Sequence, residues 1–474
     1  MVAYLEELFA FLRPAFSREA AYGWFVVVWM GIATRTDAYG VSSVMRALAL
    51  APGVYVLLLH FFHSSAWNAE GLMERWWRWL ARESDVSWTV NGRNVFTGDH
   101  TKTPKDARKM PAVSTLHQDS ETASKPSFFR GHHWGCIALV THVKERFFST
   151  PLWMAIHEGL DTLGGPSEEQ QPKTVRTVTM AQRVAQVMGR SAYLVLDAYF
   201  SVGPVFLTAA ALLGKDGNPL IYILTRAKKN IVAYLPAPRK APHTRGRQAL
   251  YGKKLKLYDL FERWHDRFVT ATATVYGQSV TVRYLTADLL WKPVHGSLRF
   301  FWFETPRGLL VLMTSDPHLQ PLDALQLYAR RSTIETLFNT LKNVIGGMAY
   351  HFWSKHLERV SRRPRKNQNA LRTSSNLPAT LITLAAIEKC VNLHLLVLGG
   401  LQLLAMHFPQ QTIHAAHCWM RTLPKSIPSE FIVKTALTAM LRNNDSDFAQ
   451  SPIMRYIRLH QQNPNPVEEQ RRAA

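Results

Sequence analysis

The sequence has few acidic residues and almost no cysteine. Its 474 residues include 34 Asp and Glu against 56 Lys and Arg, which gives a formal net charge of +22. Such an excess of positive charge is typical of proteins that bind a polyanion or an anionic surface. The three cysteines, Cys136, Cys390 and Cys418, are too widely spaced for a disulfide framework or a cysteine-based zinc site. We therefore expect a reducing, cytoplasmic environment.

Three other features are missing: a secretory signal, a continuous membrane span and a phosphate-binding glycine loop. The N-terminus is acidic at Glu6 and Glu7, where a signal sequence would be basic. The uncharged stretch at 20–34 is short for a membrane span, and those at 47–69 and 390–420 are interrupted by proline and polar residues. We interpret all three stretches as core helices. Because the chain has no G-x4-G-K-S/T loop, no nucleotide cofactor is expected.

The pattern of apolar residues predicts an α/β fold. Hydrophobic residues make up 47% of the chain, enough to form large cores. After a helical region at 1–85, short β-type runs alternate with helical segments, which favours a mixed sheet with flanking helices. The predicted strands lie at 93–97, 134–143, 146–157, 191–197 and 219–225, and the predicted helices at 173–188 and 206–213.

The same pattern divides the chain into three predicted domains. Residues 1–85 form the helical N-terminal region, and residues 86–350 form the α/β domain. A β-rich insertion with a basic loop interrupts the α/β domain at about 226–320, before a long helix. Residues 351–474 comprise a basic linker, a helical C-terminal region and a polar tail from residue 461.

The most specific motif lies on the predicted helix that runs from Pro321 to the Gly346-Gly347 pair. Four residues with charged or hydroxyl-bearing side chains share it: Tyr328, Arg331, Glu335 and Lys342. At about 100° per residue, their side chains fall within about 60° of one another on one helix face. A carboxylate flanked by two cations and a phenol suits a metal-bound phosphodiester. The alternative is a solvated face with an ordinary ion pair between Arg331 and Glu335.

Two further carboxylates follow predicted strands. Asp197 ends the apolar run at 191–197, and Asp99 comes just after the strand at 93–97. Clefts in α/β proteins form at the carboxyl ends of strands, and three carboxylates together could hold two Mg²⁺ ions about 3.5–4 Å apart. Taken singly, an Asp at a strand end is more often a turn or helix cap. Competitors of Asp99 for the first position are Asp106, Asp119 and Asp161.

Basic and aromatic side chains near the predicted cleft are candidate nucleic-acid contacts. Arg226, Lys228 and Lys229 follow the last core strand, where they either contact phosphate groups or form a solvated turn. Trp291 and Trp302 in the insertion either stack on an extruded base or belong to the core. The His132-His133 pair has no further ligand at a useful spacing, so we interpret it as structural.

The motif Tyr328-x2-Arg331-x3-Glu335-x6-Lys342, together with Asp99 and Asp197, resembles the DDE transposases of bacterial insertion sequences that carry a Y-R-E-K signature. The resemblance covers about residues 90–350, including an insertion before the signature helix. It implies a ribonuclease H-like core in which Asp99, Asp197 and Glu335 bind two Mg²⁺ ions, with Mn²⁺ as a substitute. In this family the second Asp is often followed by x-Gly-Tyr/Phe. Here Asp197-Ala-Tyr-Phe200 keeps the aromatic residue but not the glycine.

The resemblance also implies an activity and partners. Such a transposase cleaves phosphodiester bonds at the ends of its element and transfers the 3′-hydroxyl strand to target DNA. Tyr328, Arg331 and Lys342 would contact the phosphates of the element ends, and the insertion would help to hold a DNA hairpin or a flipped base. The implied partners are double-stranded DNA, both terminal inverted repeats and target, and a second copy of the chain. The implied location is the bacterial cytoplasm, at the nucleoid.

Two assignments outside the catalytic core rest on analogy alone. The N-terminal helices, with Arg75, Arg78 and Arg82, would read the terminal repeats, and the C-terminal helices would mediate dimerisation. The competing hypothesis is a non-catalytic basic protein that binds DNA or associates with a membrane, in which the carboxylates are caps and ion pairs. A decayed element copy that binds ends without cutting them is a third hypothesis.

Overall fold

A computed structural model of the chain describes residues 1–37, 40–105, 107–118, 127–163, 171–239, 246–275, 277–360, 372–416, 419, 426–443 and 445–462. Within these ranges the chain forms one large mixed sheet of 13 strands packed against helices, which confirms the α/β class. Asp106 and Asp119, most of the predicted basic linker and most of the predicted polar tail lie outside the described residues.

The strands are β1 (Thr89–Val90), β2 (Arg93–Pro104), β3 (Ser114–His117), β4 (Phe128–Val143), β5 (Arg146–Ile156), β6 (Ala192–Leu196), β7 (Ile221–Arg226), β8 (Val232–Pro236), β9 (Tyr251–Lys256), β10 (Val269–Val275), β11 (Gln278–Trp291), β12 (Gly296–Thr305) and β13 (Gly308–Thr314). The helices are α1 (Val2–Leu12), α2 (Glu19–Thr34), α3 (Gly40–Leu48), α4 (Tyr55–His63), α5 (Ala69–Leu80), α6 (Lys173–Met188), α7 (Gly203–Ala211), α8 (Leu260–Arg263), α9 (Pro321–Arg330), α10 (Thr333–Thr340), α11 (Leu377–His407), α12 (Pro409–Ala415), α13 (Glu430–Arg442), α14 (Ser446–Gln450) and α15 (Pro452–Arg458).

The centre of the sheet has the strand order β5-β4-β2-β6-β7. β2, β4 and β5 are antiparallel neighbours, whereas β6 and β7 run parallel to β2. The helix α6 precedes β6, and α7 connects β6 to β7. The β-rich segment after β7 extends this sheet, because β13 pairs with β7 and the strands β12 and β11 continue from it.

The strand β6 is buried along its whole length because both faces of the sheet are covered. Leu194 and Leu196 pack into the larger core, whereas Tyr193 and Val195 pack into a second core on the opposite face. The helix predicted at 173–188 is confirmed as α6, which lies against the larger core and ends at Gly189 in the left-handed conformation (φ +68°). This packing fixes the end of β6, where Asp197 follows.

A strand is present at 93–97 as predicted, but its predicted length is wrong. β2 continues to Pro104 because β4 pairs with Phe96 to Pro104 along one side. On its other side, β2 pairs with β6 only from Asn94 to Thr97. Beyond Thr97, among the described residues, this second edge of β2 has no strand partner, so a groove opens beside it.

The N- and C-terminal helices share one core. α11 is long and apolar enough to cross a membrane, but 78% of its most apolar window is buried inside the protein. It packs against α2, α4, α5 and α13. Close packing is possible because two glycines face tryptophans: a Cβ on Gly399 would lie 2.4 Å from Trp76 Cζ2, and one on Gly400 would lie 2.7 Å from Trp29 Cζ2.

Two predicted helices are interrupted in the structure. The stretch at 47–69, interpreted as a core helix, is divided: α3 ends at Leu48, a short 3₁₀ turn begins at Pro52, and α4 follows it. The helix expected from Pro321 to Ile345 divides into α9, α10 and a π-turn at Leu341–Ile345.

The break between α9 and α10 has a local cause. The N–H of Arg331 donates to the carbonyl of Tyr328, and the N–H of Glu335 donates to that of Ser332, so both bonds span three residues instead of four. The Thr333 hydroxyl also donates to the Arg330 carbonyl at 2.7 Å. This tighter winding departs from the regular spacing of about 100° per residue, so one straight helix does not describe the side-chain positions on both sides of the break.

Candidate active-site cleft

The groove beside β2 is an open cleft of about 860 Å³. It is bordered by β2, by the segment that follows β6, by the first residue of α6 and by the π-turn. The lining residues are Asp99, His100, Thr101, Lys102, Pro104, Gln118, Phe129, His133, Lys173, Asp197, Tyr199 and Lys342. Two carboxylates therefore share this cleft with three lysines.

Asp99 lies in the middle of β2, not at a strand end as the sequence predicted. Its carboxylate Oδ1 accepts a hydrogen bond of 2.7 Å from the N–H of His100. Burial raises the pKa of Asp99 to about 6; the neighbouring carboxylates Asp197 and Glu335 add to the rise, while the His100 N–H and Arg331 oppose it. Three carboxylates thus act on one another in a partly dehydrated space.

Asp197 follows β6 directly and has two roles at once. Its Oδ1 accepts a hydrogen bond of 3.0 Å from the N–H of Tyr199, so it caps the short 3₁₀ turn at Ala198–Phe200. Its side chain also lines the cleft beside Asp99. Burial raises the pKa of Asp197, and the charges of Arg331 and Lys228 oppose that rise.

Glu335 is linked to Asp99 by Arg331, which forms an ion pair with both carboxylates. The guanidinium of Arg331 donates to Glu335 Oε1 at 2.7 Å and lies 3.4 Å from Asp99 Oδ2. The Arg331 side chain is 19% exposed, whereas that of Glu335 is 61% exposed. The ordinary ion pair considered from the sequence is therefore present, but it extends to Asp99 and bridges two elements of the cleft.

The donor set fits a hard divalent cation. Mg²⁺ and Mn²⁺ prefer carboxylate oxygens, which Asp99, Asp197 and Glu335 supply. In the described part of the chain, no three His, Cys, Asp or Glu side chains lie close enough together to hold a metal ion. The Arg331 guanidinium lies between Asp99 and Glu335 and forms an ion pair with each of them. Burial first, and the charges of Asp197 and Glu335 second, raise the pKa of Asp99 and so disfavour its charged form, a cost that a bound cation would relieve.

The four residues of the helix motif divide between two places. Lys342 donates to Thr101 Oγ1 at 2.6 Å in the cleft, and it makes no ion pair with any described residue. Tyr328 instead lines a second cavity of about 290 Å³, between α9 and the turn that joins β12 to β13. Arg226, a predicted phosphate contact, lies in that second cavity too. Tyr328 and Lys342, expected on one narrow helix face, thus line two different cavities, although Tyr328 still acts electrostatically on Arg331.

The other side chains predicted to contact nucleic acid also lie in different places. Lys228 donates to the carbonyl of Tyr199 at 3.5 Å, next to Asp197, whereas Lys229 is exposed in the following turn. Trp291 is 4% exposed and Trp302 is fully buried, so both belong to the core and neither is placed to stack on a base. Asp161, a competitor of Asp99, lies on an exposed turn and does not line the cleft.

Sequence reasoning missed a group of cleft residues contributed by three elements. His132 is structural as predicted, because it is fully buried between Tyr350 and the carbonyl of Pro111. Its neighbour His133 instead lines the cleft and pairs with Glu158, which also binds Lys173. The local sequence carries no signal for this group, since its members are brought together only by the sheet.

The charge on Asp99 should cost stability when no metal is bound. Asp99→Asn is expected to raise the free energy of unfolding by roughly 1–3 kcal/mol at pH 7. Since the folded-state pKa of about 6 exceeds the usual 3.8, the wild type loses stability as pH rises from about 4 to about 6. The gain from Asp99→Asn should therefore vanish below pH 4. Denaturant titrations in EDTA at several pH values measure it, with Asp161→Asn as the matched control; a pH-independent gain would contradict the assignment.

No protein-family model matches the chain, and no curated protein matches it. The arrangement of the cleft and the motif that led to it are thus the basis for a functional assignment.

Proposed function

We propose that the chain is a metal-dependent DNA transposase of the DDE group. The observation that carries the proposal is the position of three carboxylates: Asp99 within β2, Asp197 after the adjacent parallel strand β6, and Glu335 on the helix that follows the sheet. The charges of Asp197 and Glu335 both act on Asp99, which lines the cleft together with Asp197 and three lysines. A long antiparallel pair, β2 and β4, followed by two parallel strands supports the ribonuclease H-like core that the motif implies.

The chain's own residues have distinct tasks in this proposal. Asp99, Asp197 and Glu335 would hold Mg²⁺ or Mn²⁺. When bound, the pair of ions activates the attacking water or 3′-hydroxyl and stabilises the leaving oxygen. Arg331 and Lys342 sit beside the carboxylates and neutralise the phosphate that approaches them. No nucleotide cofactor enters the reaction.

The charge distribution supports DNA as the partner. The net charge of +22 favours binding to a polyanion, and the cleft combines carboxylates with Lys102, Lys173 and Lys342. Cutting both ends of an element requires two active sites, so we infer a dimer on DNA, at the bacterial nucleoid. The cavity lined by Arg226, Tyr328 and the turn between β12 and β13 would receive a displaced nucleotide.

A non-catalytic DNA-binding protein is the second candidate. It is favoured by the ion pairing of Glu335 and Asp99 to Arg331, and by the cap that Asp197 forms. In that case the carboxylates only hold the fold and orient the cations. The two candidates make the same prediction for DNA binding and opposite predictions for cleavage.

Metal-dependent cleavage tests the proposal. The full-length chain is incubated with supercoiled plasmid that carries the DNA flanking its gene, in Mg²⁺, Mn²⁺ or EDTA, and DNA binding is measured alongside. We expect binding in all three buffers and nicks at discrete positions only with Mg²⁺ or Mn²⁺. Binding without nicks in any buffer would favour the non-catalytic candidate, and failure to bind DNA would contradict both.

A further inference from the structure

The cleft continues past the carboxylates along the unpaired edge of β2. Side chains from both faces of the strand reach it. On one face, Thr101 accepts a hydrogen bond of 2.6 Å from Lys342. On the other face, His100 lies 3.1 Å from the Thr177 hydroxyl of α6. The far end of the cleft therefore runs between the π-turn after α10 and the beginning of α6.

This far end is built around His133. Its Cα is paired with that of Lys102, three residues along β2 from Asp99. The residue is only 4% exposed, and its Nδ1 lies 3.2 Å from Glu158 Oε2. Its Nε2 has no hydrogen-bond partner among the described residues, although His133 lines the cleft. A buried imidazole held on one side by a carboxylate presents its other nitrogen to whatever enters the cleft.

Lys173 completes the group. It is the first residue of α6, a helix of 16 residues, where the helix dipole favours an anion. Its ammonium pairs with Glu158 and lies 3.5 Å from His133 Nδ1. Lys102 lies on the same face of β2 as His100. Lys342, from the π-turn, lines the same cleft. A single carboxylate, Glu158, thus holds a histidine and a lysine in a space where cations predominate.

We propose that this end of the cleft binds the backbone phosphates of the DNA strand that continues from the bond to be cut. Lys173 and His133 would contact one phosphate, and Lys102 and Lys342 would contact its neighbours. Glu158 is a positioning residue that holds the first two side chains. The inference rests on the proposed function, which supplies the strand, but it assigns contacts to residues outside the helix motif.

Salt dependence of DNA binding tests this site separately from cleavage. A short fluorescein-labelled single-stranded oligodeoxynucleotide of mixed sequence is titrated with the full-length chain in EDTA at several salt concentrations. Each phosphate contact contributes about 0.7 to the slope of log K against log salt for a single strand. Lys173→Gln should therefore lower the slope by about that amount, and Lys173→Arg should restore it.

Lys215→Gln is the matched control. It makes the same charge change on an exposed loop before β7, at the opposite end of the parallel strands. His133→Ala should weaken DNA binding at every salt concentration. Thermal unfolding is used to confirm that His133→Ala and Lys173→Gln are folded.

If Lys173→Gln leaves the slope unchanged, or Lys215→Gln lowers it equally, the proposed phosphate site is wrong. Metal-dependent nicking by the wild type would then still support the transposase, whereas its absence would overturn the function itself.

Discussion

Asp197→Asn is expected to lower the rate of DNA cleavage about a thousandfold or more while leaving DNA binding intact. The substitution keeps the side-chain oxygen that caps the 3₁₀ turn, since Asn is as good a cap as Asp, so the end of β6 should remain in place. It removes the negative charge that would hold a metal ion, and metal ions supply several kcal/mol of transition-state stabilisation. Single-turnover cleavage in Mg²⁺ and binding in EDTA measure the two effects separately.

The chain offers a close control for this substitution. Asp216 also accepts a hydrogen bond from the N–H two residues later, that of Asn218, but it lies exposed before β7. Asp216→Asn makes the same chemical change in the same local geometry, and it should leave cleavage unaffected. Glu335→Gln should reproduce the loss seen for Asp197→Asn. If Asp197→Asn cleaves DNA as well as Asp216→Asn does, Asp197 is only a cap and the metal site is wrong.

The local parts of the fold could be predicted from the sequence because short-range patterns determine them. The apolar repeat that predicts α6 has a helical period, and the five apolar residues of β6 can be buried only between two covered faces. Asp197 follows from the same reasoning, since it is the first polar residue after that strand. Each of these predictions needs no more than a few neighbouring residues.

The position of Asp99 shows where such reasoning stops. The sequence predicts that the strand ends at Thr97, with the carboxylate of Asp99 just after its end. The strand continues because β4, about thirty residues later in the chain, supplies its hydrogen-bond partners. A pairing between distant segments overrides local propensity, and no pattern within 93–104 reveals it. The same holds for His133, Glu158 and Lys173, which meet only because β4, the end of β5 and α6 are neighbours in the fold.

The prediction that the four motif residues share one helix face had a different limitation. Equal spacing in angle assumes a straight helix with about 3.6 residues per turn. Hydrogen bonds that span three residues at Arg331 and Ser332, and a π-turn after Thr340, violate that assumption in opposite directions. Lys342 lines the cleft and Arg331 pairs with Asp99 beside it, whereas Tyr328 lines the second cavity. Spacing alone therefore predicts a shared helix more reliably than a shared site.

Arg331→Gln is expected to tighten Mn²⁺ binding at least tenfold in the absence of DNA. In the wild type the guanidinium lies 2.7 Å from Glu335 Oε1 and 3.4 Å from Asp99 Oδ2, so it competes with a metal ion for the same oxygens. Gln keeps much of the side-chain volume but removes the charge. Isothermal titration with Mn²⁺ measures the affinity, and Arg190→Gln, on the exposed turn before β6, is the matched control.

The same competition couples metal binding to DNA binding. A phosphate that enters the cleft offers Arg331 an alternative partner, which frees Asp99 and Glu335 for the ion. DNA should therefore raise the Mn²⁺ affinity of the wild type, and by linkage Mn²⁺ should raise its affinity for DNA by the same factor. In Arg331→Gln that factor should shrink, because the competing cation is already gone. If Arg331→Gln binds Mn²⁺ no more tightly than Arg190→Gln, the guanidinium does not compete with the ion. The three carboxylates would then need a rearrangement of the backbone, and not only of one side chain, to bind metal.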